Sequence, residues 1–302
     1  MNLKLITAFL EQNNIPFTEH ENMASHATFK PGGNADVFVC PENAEQLKSK
    51  FTDCQENGIT VTVIGNGSNI LVSDGGIEGV VITLAKLNGI ALLNSEEITC
   101  GAGASLTAVC LFALKHSLTG LEFAYGIPGS VGGALYMNAG AYGGEMKNVI
   151  YSAEVLDKNG NITTVNEKDM CLGYRTSVFK TDGSIILSVT FKLQTGEPDK
   201  IKAEMDELMS RRRDKQPLEY PSAGSTFKRP AGNFAGALIE QSGLKGTCVG
   251  GAMVSEKHAG FIINYNKATT GDILALIKKV QQTVLENHGV MLEPEVIYLG
   301  RK

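Results

Sequence analysis

Two glycine-rich stretches contain the residues best suited to bind a charged ligand. The first, GNGSN at residues 65–69, follows a predicted strand, and the second has seven glycines within residues 126–144. Glycines let successive backbone N–H groups converge and let a ligand approach the main chain closely, which can form a phosphate-binding nest without lysine. The second stretch therefore predicts a wall that binds a diphosphate, with a pair of strained turns as the alternative.

The first glycine stretch differs from the common nucleotide-binding loops. A Rossmann dinucleotide site needs G-x-G-x-x-G at the start of a helix, whereas residues 70–72 predict a strand and Asp74-Gly75-Gly76 a turn. The phosphate-binding loop G-x-x-x-x-G-K-[ST] does not occur. On its own, this stretch fits a tight turn as well as a ligand site.

Helices and strands are predicted on both sides of these stretches. Helix-like patterns cover residues 2–14, 42–57, 105–118, 199–215 and 271–287, and strand-like patterns cover residues 36–39, 59–64, 80–84 and 184–193. Asn159-Gly160 predicts a hairpin turn. For the last helix we predict Thr270 as N-cap and Gly289 as the stop.

The pattern changes at the charged helix 199–215, which suggests a domain boundary. We predict domains 1–196 and 197–302, with a return of the extreme C-terminus to the first domain as an option. A chain of 302 residues is long enough for two domains.

Composition narrows the class of protein. A 43% apolar and 20% charged chain is expected to fold throughout, and a formal net charge of −5 argues against broad nucleic-acid binding. Six cysteines occur without C-x-x-C spacing or a His/Cys cluster, so neither a zinc site nor a redox motif is predicted. The N-terminal apolar run 3–10 contains Lys4 and lacks a cleavage site, and no run approaches a membrane span. We expect a cytoplasmic protein without a bound metal.

Six motifs, in unbroken order, resemble one family. They are GNGSNILVSDGG (65–76), GIPGSVGGALYMNAGAYGGE (126–145), YRTSVFK (174–180), AGSTFKRP (223–230), KHAGFIIN (257–264) and LEPEV (292–296). This set resembles the UDP-N-acetylenolpyruvoylglucosamine reductases of peptidoglycan precursor synthesis. The chain lacks room for the tyrosine-bearing loop of the longer form, so it resembles the shorter form, and Ile297 stands where members often have arginine.

The resemblance implies a fold, cofactors and a substrate. The expected fold is α+β: a p-cresol methylhydroxylase-type FAD-binding domain of two α+β subdomains, followed by a smaller α+β substrate-binding domain. The expected ligands are non-covalent FAD, NADPH as co-substrate and UDP-N-acetylglucosamine enolpyruvate, which a monomer would reduce to UDP-N-acetylmuramate. No nucleic-acid or membrane partner is expected.

The resemblance also implies which residues bind the cofactor and which are catalytic. Arg175 matches the arginine of Y-R-x-S, Ser225 the serine of G-S, and Glu295 the second glutamate of L-E-P-E. The residues assigned to FAD are Gly65, Asn66, Gly67, Ser68, Asn69, Gly126, Ile127, Pro128, Gly129, Ser130, Gly132, Gly133, Asn138, Gly140 and Ala141.

The chemistry of an enolpyruvyl ether explains these three catalytic types. Hydride addition to the methylene carbon leaves carbanion character beside the carboxylate, and Arg175 can stabilise that charge through two parallel hydrogen bonds. Ser225 is the candidate proton donor to the carbanion. Glu295 would orient the carboxylate by a hydrogen bond or interact with Arg175, and Glu293 competes for this role.

Other polar residues near Ser225 leave alternatives open. Lys228 and Arg229 predict positive charge for the UDP diphosphate, or else a solvated surface pair. His258 predicts a structural hydrogen-bonding residue rather than a catalytic one. For the whole protein, the alternatives are another FAD-dependent oxidase or dehydrogenase, or a non-catalytic flavin or UDP-sugar binding protein.

Overall fold

The computed structural model of the protein describes residues 3–12, 15–56 and 58–301. Residues 2, 13, 14 and 57 of the predicted helices lie outside the described residues. Seven α-helices lie within the described ranges: α1 (Leu3–Gln12), α2 (Ala44–Glu56), α3 (Leu106–Lys115), α4 (Val131–Tyr136), α5 (Pro198–Lys215), α6 (Ala235–Gln241) and α7 (Thr270–His288).

Strands are short and numerous in the same part of the chain. They are β1 (Phe17–Asn22), β2 (Asn34–Val39), β3 (Val61–Ile64), β4 (Ile70–Val72), β5 (Ile77–Thr83), β6 (Ile90–Leu92), β7 (Glu97–Gly101), β8 (Leu118–Thr119), β9 (Gly140–Ala141), β10 (Gly144–Glu145), β11 (Ile150–Leu156), β12 (Ile162–Asn166), β13 (Ile185–Lys192), β14 (Gln194–Thr195), β15 (Cys248–Val249), β16 (Ala252–Val254), β17 (Ile262–Asn264) and β18 (Ile297–Leu299). This mixture agrees with the predicted α+β class.

The chain forms two compact units. Helix α5 begins in unit 1, where its Ile201 and Met205 join the buried core. The predicted boundary at residue 196 therefore falls inside that unit. Unit 1 contains the residues up to Glu19, Val37–Asn66 and Gly79–Arg212, and unit 2 contains His20–Asp36, Gly67–Glu78 and the residues from Arg213 onward.

A five-stranded antiparallel sheet lies at the centre of unit 1. Its strand order is β12-β11-β13-β7-β6, and Val189 of β13 pairs with Ala153 on one side and Cys100 on the other. The alternation predicted for residues 184–193 is confirmed from Leu187 onward, where Val189 and Phe191 are fully buried and the residues between and after them are not. It fails at Ile186, which is buried as well. Burial of side chains this size stabilises the fold by roughly 1.5–3 kcal/mol each.

The predicted turn at Asn159-Gly160 is confirmed as the hairpin that joins β11 to β12. Leu156 pairs with Ile162, and Gly160 has a φ of 80°. The Asp157 carboxylate accepts the N–H of Asn159 and of Asn161, each at 2.8 Å. These bonds lower the pKa of Asp157 below its ordinary value.

A second sheet has the strand order β1-β2-β5-β3. Within unit 1, β3 and β5 are parallel, with Val61 beside Val80 and Ile64 beside Thr83. Gly65 follows directly on β3. This sheet therefore presents the start of the first glycine stretch at the end of a parallel strand.

Unit 2 is built on α7 and the antiparallel sheet β15-β16-β17. The predicted N-cap of α7 is wrong by one residue. Thr269 is the cap, because its hydroxyl accepts the Asp272 N–H and the Asp272 carboxylate accepts the Thr269 N–H. Thr270 begins the helix, and its hydroxyl donates to the Val72 carbonyl. Gly289, at φ 68°, ends the helix as predicted.

The C-terminal strand also lies in unit 2. β18 pairs in parallel with β4, with Ile297 beside Ile70 and Leu299 beside Val72. Arg301 then forms an ion pair with Asp36 at 2.6 Å. β4 confirms that a strand follows the first glycine stretch.

Candidate active site

The two glycine stretches meet in unit 1 at Gly65 and Ser130. A Cβ atom at Gly65 would lie 2.4 Å from the Ser130 Oγ and 3.8 Å from the Gly133 Cα. Ser130 is buried and caps α4, since its Oγ accepts the Gly133 N–H at 3.3 Å. Only glycine at position 65 permits this approach, so the structure brings together two segments that sequence analysis assigned to one cofactor.

The rest of the first stretch, residues 67–69, lies in unit 2. Gly67 has a φ of 64°, and a Cβ there would lie 1.9 Å from the His26 carbonyl oxygen. Its own carbonyl accepts the Thr28 N–H at 3.1 Å. Asn69 donates from its side chain to the Glu295 carbonyl at 3.2 Å. Gly67 and Asn69 therefore shape the backbone of unit 2.

Several amides of the second stretch already have acceptors in unit 1. The N–H groups of Val131 and Gly132 donate to Ala104 and Ala102, each at 2.8 Å. A Cβ at Gly132 would lie 2.8 Å from the Ala102 Cβ. Here glycine lets two backbone segments pack closely, and the N–H groups of Val131 and Gly132 already have partners. A phosphate-binding nest would therefore use fewer residues than the whole second stretch.

A buried cation lies beside the start of the second stretch. The Arg212 side chain is 7% exposed, and a Cβ at Gly126 would lie 3.3 Å from its Nε. Its guanidinium carbon is 5.6 Å from the centre of the Tyr142 ring. Burial lowers the pKa of Arg212 from its usual high value. An anionic ligand near Gly126 would offset the cost of burying this charge.

Arg212 was not predicted from the sequence as a buried cation, although its spacing in α5 contains a signal. The apolar stripe of α5 runs through Ile201, Met205 and Leu208 at helical spacing, and the next position is Arg212. A cation in line with a buried stripe indicates a buried cation. The run of three arginines at 211–213 concealed it.

Arg175 lies at the corner of a tight turn in unit 1. Gly173 and Thr176 exchange both backbone hydrogen bonds, at 3.1 and 3.2 Å, and Arg175 between them has a φ of 53°. The left-handed region costs a non-glycine residue about 1–2 kcal/mol. The guanidinium donates to the Gly140 carbonyl at 3.3 Å and lies 5.1 Å from the Tyr174 ring centre. The turn thus fixes the cation next to the predicted cofactor residue Gly140.

Ser225 lies on a segment of unit 2 with backbone partners on two sides. Thr226 donates its N–H to Gly260 at 2.9 Å and accepts the N–H of Glu295 at 2.8 Å. The Thr226 hydroxyl also accepts the Ile262 N–H at 3.0 Å. The structure therefore places two of the three predicted catalytic residues, Ser225 and Glu295, on paired segments of unit 2.

His258 is a neighbour of Ser225 that sequence analysis left outside the catalytic set. Its Nδ1 accepts the Gly260 N–H at 3.1 Å. A Cβ at Gly260 would lie 3.0 Å from the His258 Cε1 and 3.5 Å from the Ser225 Oγ. Burial lowers the pKa of His258, so the ring is neutral at pH 7. Its Nδ1 is then the acceptor nitrogen and its Nε2 carries the proton.

Lys228 and Arg229 have different surroundings in unit 2. Lys228 forms an exposed ion pair with Glu293 at 3.0 Å. The Arg229 guanidinium lies 4.0 Å from the centre of the Phe234 ring, which is 60% exposed. Both cations are at the surface, and neither is buried as Arg212 is.

Metal ligands and cysteines are scattered over the part of the chain that the structure describes. No group of three or more His, Cys, Asp or Glu side chains is arranged there to bind a metal ion. The cysteines are free thiols, and burial raises the pKa of Cys100 and Cys110 to about 12. Every described helix is too short or too polar to span a lipid bilayer.

Comparison with known proteins decides the family. Residues 35–166 match the model of an FAD binding domain, and residues 216–299 match the C-terminal domain of UDP-N-acetylenolpyruvoylglucosamine reductase. The reductase of Clostridium novyi is 52% identical over 93% of this chain and 91% of its own. The chain belongs to the UDP-N-acetylenolpyruvoylglucosamine reductase family. The Clostridium perfringens reductase is 50% identical over 99% of this chain and 97% of its own.

The fold of the family is confirmed as well. A crystal structure of the reductase from Thermus caldophilus matches with a TM-score of 0.82 at 33% identity, covering 94% of this chain and 98% of that one. The predicted order, an FAD-binding α+β domain followed by a reductase-specific domain, is therefore correct.

The residues of unit 1 fit the cofactor of this family. The FAD domain match spans both glycine stretches, whose segments Gly65 and 130–133 lie together. Arg212 supplies a desolvated positive charge next to Gly126, which suits a diphosphate. The close backbone and the buried cation of unit 1 are therefore compatible with a bound diphosphate.

Proposed function

We infer that this chain reduces UDP-N-acetylglucosamine enolpyruvate to UDP-N-acetylmuramate with NADPH, as a step of peptidoglycan precursor synthesis in the cytoplasm. The observation that carries this inference is the presence, in one chain, of an FAD binding domain and the reductase's C-terminal domain, with homology over more than nine tenths of its length. A monomer contains every residue assigned to the reaction.

FAD would be held without a covalent bond by Gly65, the second glycine stretch and Arg212, and would supply the transfer of hydride from NADPH to the substrate. Ser130 and Gly133 would line the cofactor together with Gly65, which approaches them in unit 1. Gly140 and Ala141 form β9, next to the loop tip at Gly143, where a Cβ would meet no atom within 4 Å.

Arg175 stabilises the charge that develops during reduction. Hydride adds to the methylene carbon of the enol ether, and the electron pair of the double bond moves to the carbon that bears the carboxylate. A guanidinium remains charged throughout and binds both carboxylate oxygens. A fixed group of this kind contributes roughly 3–4 kcal/mol to transition-state stabilisation.

Ser225 completes the reduction by giving its hydroxyl proton to that carbon. The alkoxide that remains recovers a proton from solvent, so atoms and charge balance over the cycle. Glu295, on the segment paired with Thr226, orients the carboxylate end of the substrate.

Lys228 and Arg229 supply positive charge for the UDP diphosphate. Lys228 must leave Glu293 to do so, but an exposed ion pair of this type is worth only about 0–1 kcal/mol, so a diphosphate can displace it. Arg229 presents its planar guanidinium over Phe234.

The function is tested by mixing the NADPH-reduced protein with the enolpyruvyl sugar in the absence of oxygen. We expect the yellow flavin spectrum to return and UDP-N-acetylmuramate to form, while UDP-N-acetylglucosamine, which lacks the double bond, gives no reoxidation. A reduced flavin that does not respond to the enolpyruvyl sugar would favour another oxidase or dehydrogenase. A protein that NADPH does not reduce would favour a non-catalytic binding protein.

A further inference from the structure

Asn138 has no exposed surface and is completely engaged within unit 1. Its side-chain amide donates to the Glu145 carboxylate and to the Gly173 carbonyl, both at 2.9 Å, and its carbonyl oxygen accepts the Lys147 N–H at 2.9 Å. Two partners are pure acceptors and one is a pure donor, so one orientation of the amide satisfies all three. Its φ of 41° places it in the left-handed region, which asparagine tolerates better than most residues.

The Gly173 end of this network is the turn that carries Arg175. Gly173 and Thr176 close the turn, and the guanidinium of Arg175 returns to Gly140, two residues after Asn138. The segment 138–140 therefore contacts the turn at two points. Asn138 binds Gly173, the first residue of the turn, and Gly140 binds the guanidinium of Arg175.

Further contacts join the same two segments. The Ser177 hydroxyl donates to the Tyr136 carbonyl at 2.7 Å, and the Lys180 ammonium donates to the Arg175 carbonyl at 3.1 Å. These contacts hold the chain after the turn. Of the side chains named here, only that of Asn138 binds the residue that opens the turn.

We propose that Asn138 is a positioning residue for Arg175: it fixes the height and direction of the guanidinium, and its side chain touches neither substrate nor cofactor. The inference rests on the proposed catalytic role of Arg175. It differs from the assignment of Asn138 to FAD binding, because a side chain with no exposed surface and three internal partners has no group left to offer a ligand.

The charge around Asn138 identifies a sensitive substitution. Glu145 also forms an ion pair with Lys147 at 2.6 Å. Asn138→Asp keeps the shape of the side chain but removes its donors and sets a carboxylate against Glu145. Adding Glu145→Gln restores a donor opposite the new carboxylate but not the bond to Gly173. We therefore expect it to restore part of the rate at which the enolpyruvyl sugar reoxidises the reduced enzyme.

The test is a double-mutant cycle of Asn138→Ala with Arg175→Ala, measured as the rate of reoxidation of reduced enzyme by the enolpyruvyl sugar. We expect Asn138→Ala alone to slow reoxidation about 10- to 100-fold, because small displacements of a catalytic group cost that much. In the Arg175→Ala background we expect it to slow the rate less than about twofold, since coupled residues are not additive. FAD content and flavin reduction by NADPH should remain unchanged.

Asn148→Ala is the matched control. Asn148 lies in the same loop, and its side chain accepts the Glu145 N–H at 2.9 Å, but this bond lies within residues 145–148. We expect its reoxidation rate to equal that of the wild type. If Asn138→Ala does not fold, Asn138→Asp, alone or together with Glu145→Gln, takes its place in the cycle with Arg175→Ala.

Three outcomes would overturn the inference. Fully multiplicative effects of the two substitutions would show that Asn138 does not act through Arg175. Loss of FAD from Asn138→Ala with a normal rate per bound flavin would assign the residue to cofactor binding. Normal reoxidation by Arg175→Ala would remove the catalytic role of Arg175 itself, and with it the basis of the inference.

Discussion

The Arg175 turn in unit 1 and the Ser225 segment in unit 2 position the two proposed catalytic side chains in different ways. Backbone bonds between Gly173 and Thr176 close the Arg175 turn, and side chains anchor it to the rest of unit 1: Asn138 binds Gly173, and the guanidinium binds Gly140. The Ser225 segment is held chiefly by the backbone hydrogen bonds that join Thr226 to Gly260 and to Glu295. A site held by side chains is vulnerable to substitution of its neighbours, whereas a site held by backbone is vulnerable mainly to added atoms.

The difference matches the chemistry required of each residue. A guanidinium on a long, flexible side chain needs several contacts to fix its direction. A serine hydroxyl is one bond from Cβ, so only the χ1 rotation remains to be fixed once the backbone is in place. The left-handed φ of Arg175 is local strain of the kind that persists at functional sites only when the surroundings enforce it.

Within the Arg175 turn, the largest effect is expected when the cation itself is removed. Arg175→Ala should slow reoxidation by the enolpyruvyl sugar about 10²- to 10³-fold, with FAD retained. The reoxidation rate of Arg175→Lys should lie between those of the wild type and Arg175→Ala, because lysine keeps the charge but loses the two parallel hydrogen bonds. Equal rates for Lys and Ala variants would show that direction, rather than charge, is what the turn provides.

Removal of the buried cation beside Gly126 should affect cofactor binding rather than the reaction. Arg212→Gln is expected to raise the dissociation constant of FAD about 10- to 100-fold, which corresponds to one charged hydrogen bond. Arg211→Gln is the matched control, since Arg211 is exposed and pairs with Glu207 along α5. Titration of the apoprotein with FAD measures both, and equal constants would exclude Arg212 from the cofactor site.

An added methyl group should disturb the Ser225 segment. Gly260→Ala places a Cβ 3.0 Å from the His258 ring and 3.5 Å from the Ser225 hydroxyl, and we expect a rate reduced about tenfold through displacement of the hydroxyl. Gly236→Ala is the control, because its Cβ would lie at an ordinary 3.4 Å from the same ring. Wild-type rates in both variants would mean that the Ser225 segment tolerates added atoms, which would contradict the sensitivity expected of a segment held by backbone hydrogen bonds.

The smallest effect is expected from the titration of His258. Burial lowers its folded-state pKa below the ordinary value near 6.5, so the unfolded chain binds the proton more readily. The stability this residue contributes is present above pH 6.5 and is lost as the pH falls from 6.5 towards the lowered pKa. His258→Gln should therefore flatten the fall in unfolding free energy on the acid side, measured by urea denaturation. An equal pH dependence of the unfolding free energy in the wild type and in His258→Gln would contradict this prediction.

Local patterns in the sequence predicted much of this arrangement. The α7 stripe, the alternation of β13 from Leu187 onward and the hairpin at Asn159-Gly160 depend on residues close together in the chain, and each is confirmed. The motifs identified Ser225 and Glu295 as candidates, and the structure places both residues on paired segments of unit 2.

Long-range contacts could not be predicted in the same way. The bond from Asn138 to Gly173 joins residues 35 positions apart, and nothing in the local sequence distinguishes a positioning asparagine from a ligand-binding one. The alternation of the two units along the chain similarly depends on which strands pair. A single boundary near residue 196 could not describe it.

The most direct test of the account is the reoxidation of NADPH-reduced Ser225→Ala by UDP-N-acetylglucosamine enolpyruvate. Ser222→Ala is the control from the same segment, because Ser222 accepts the Thr28 hydroxyl through its backbone carbonyl. We predict that NADPH reduces the flavin normally in both variants and that reoxidation slows about 10²- to 10⁴-fold in Ser225→Ala alone. Reoxidation of Ser225→Ala at the wild-type rate would contradict the assignment of Ser225 as the proton donor.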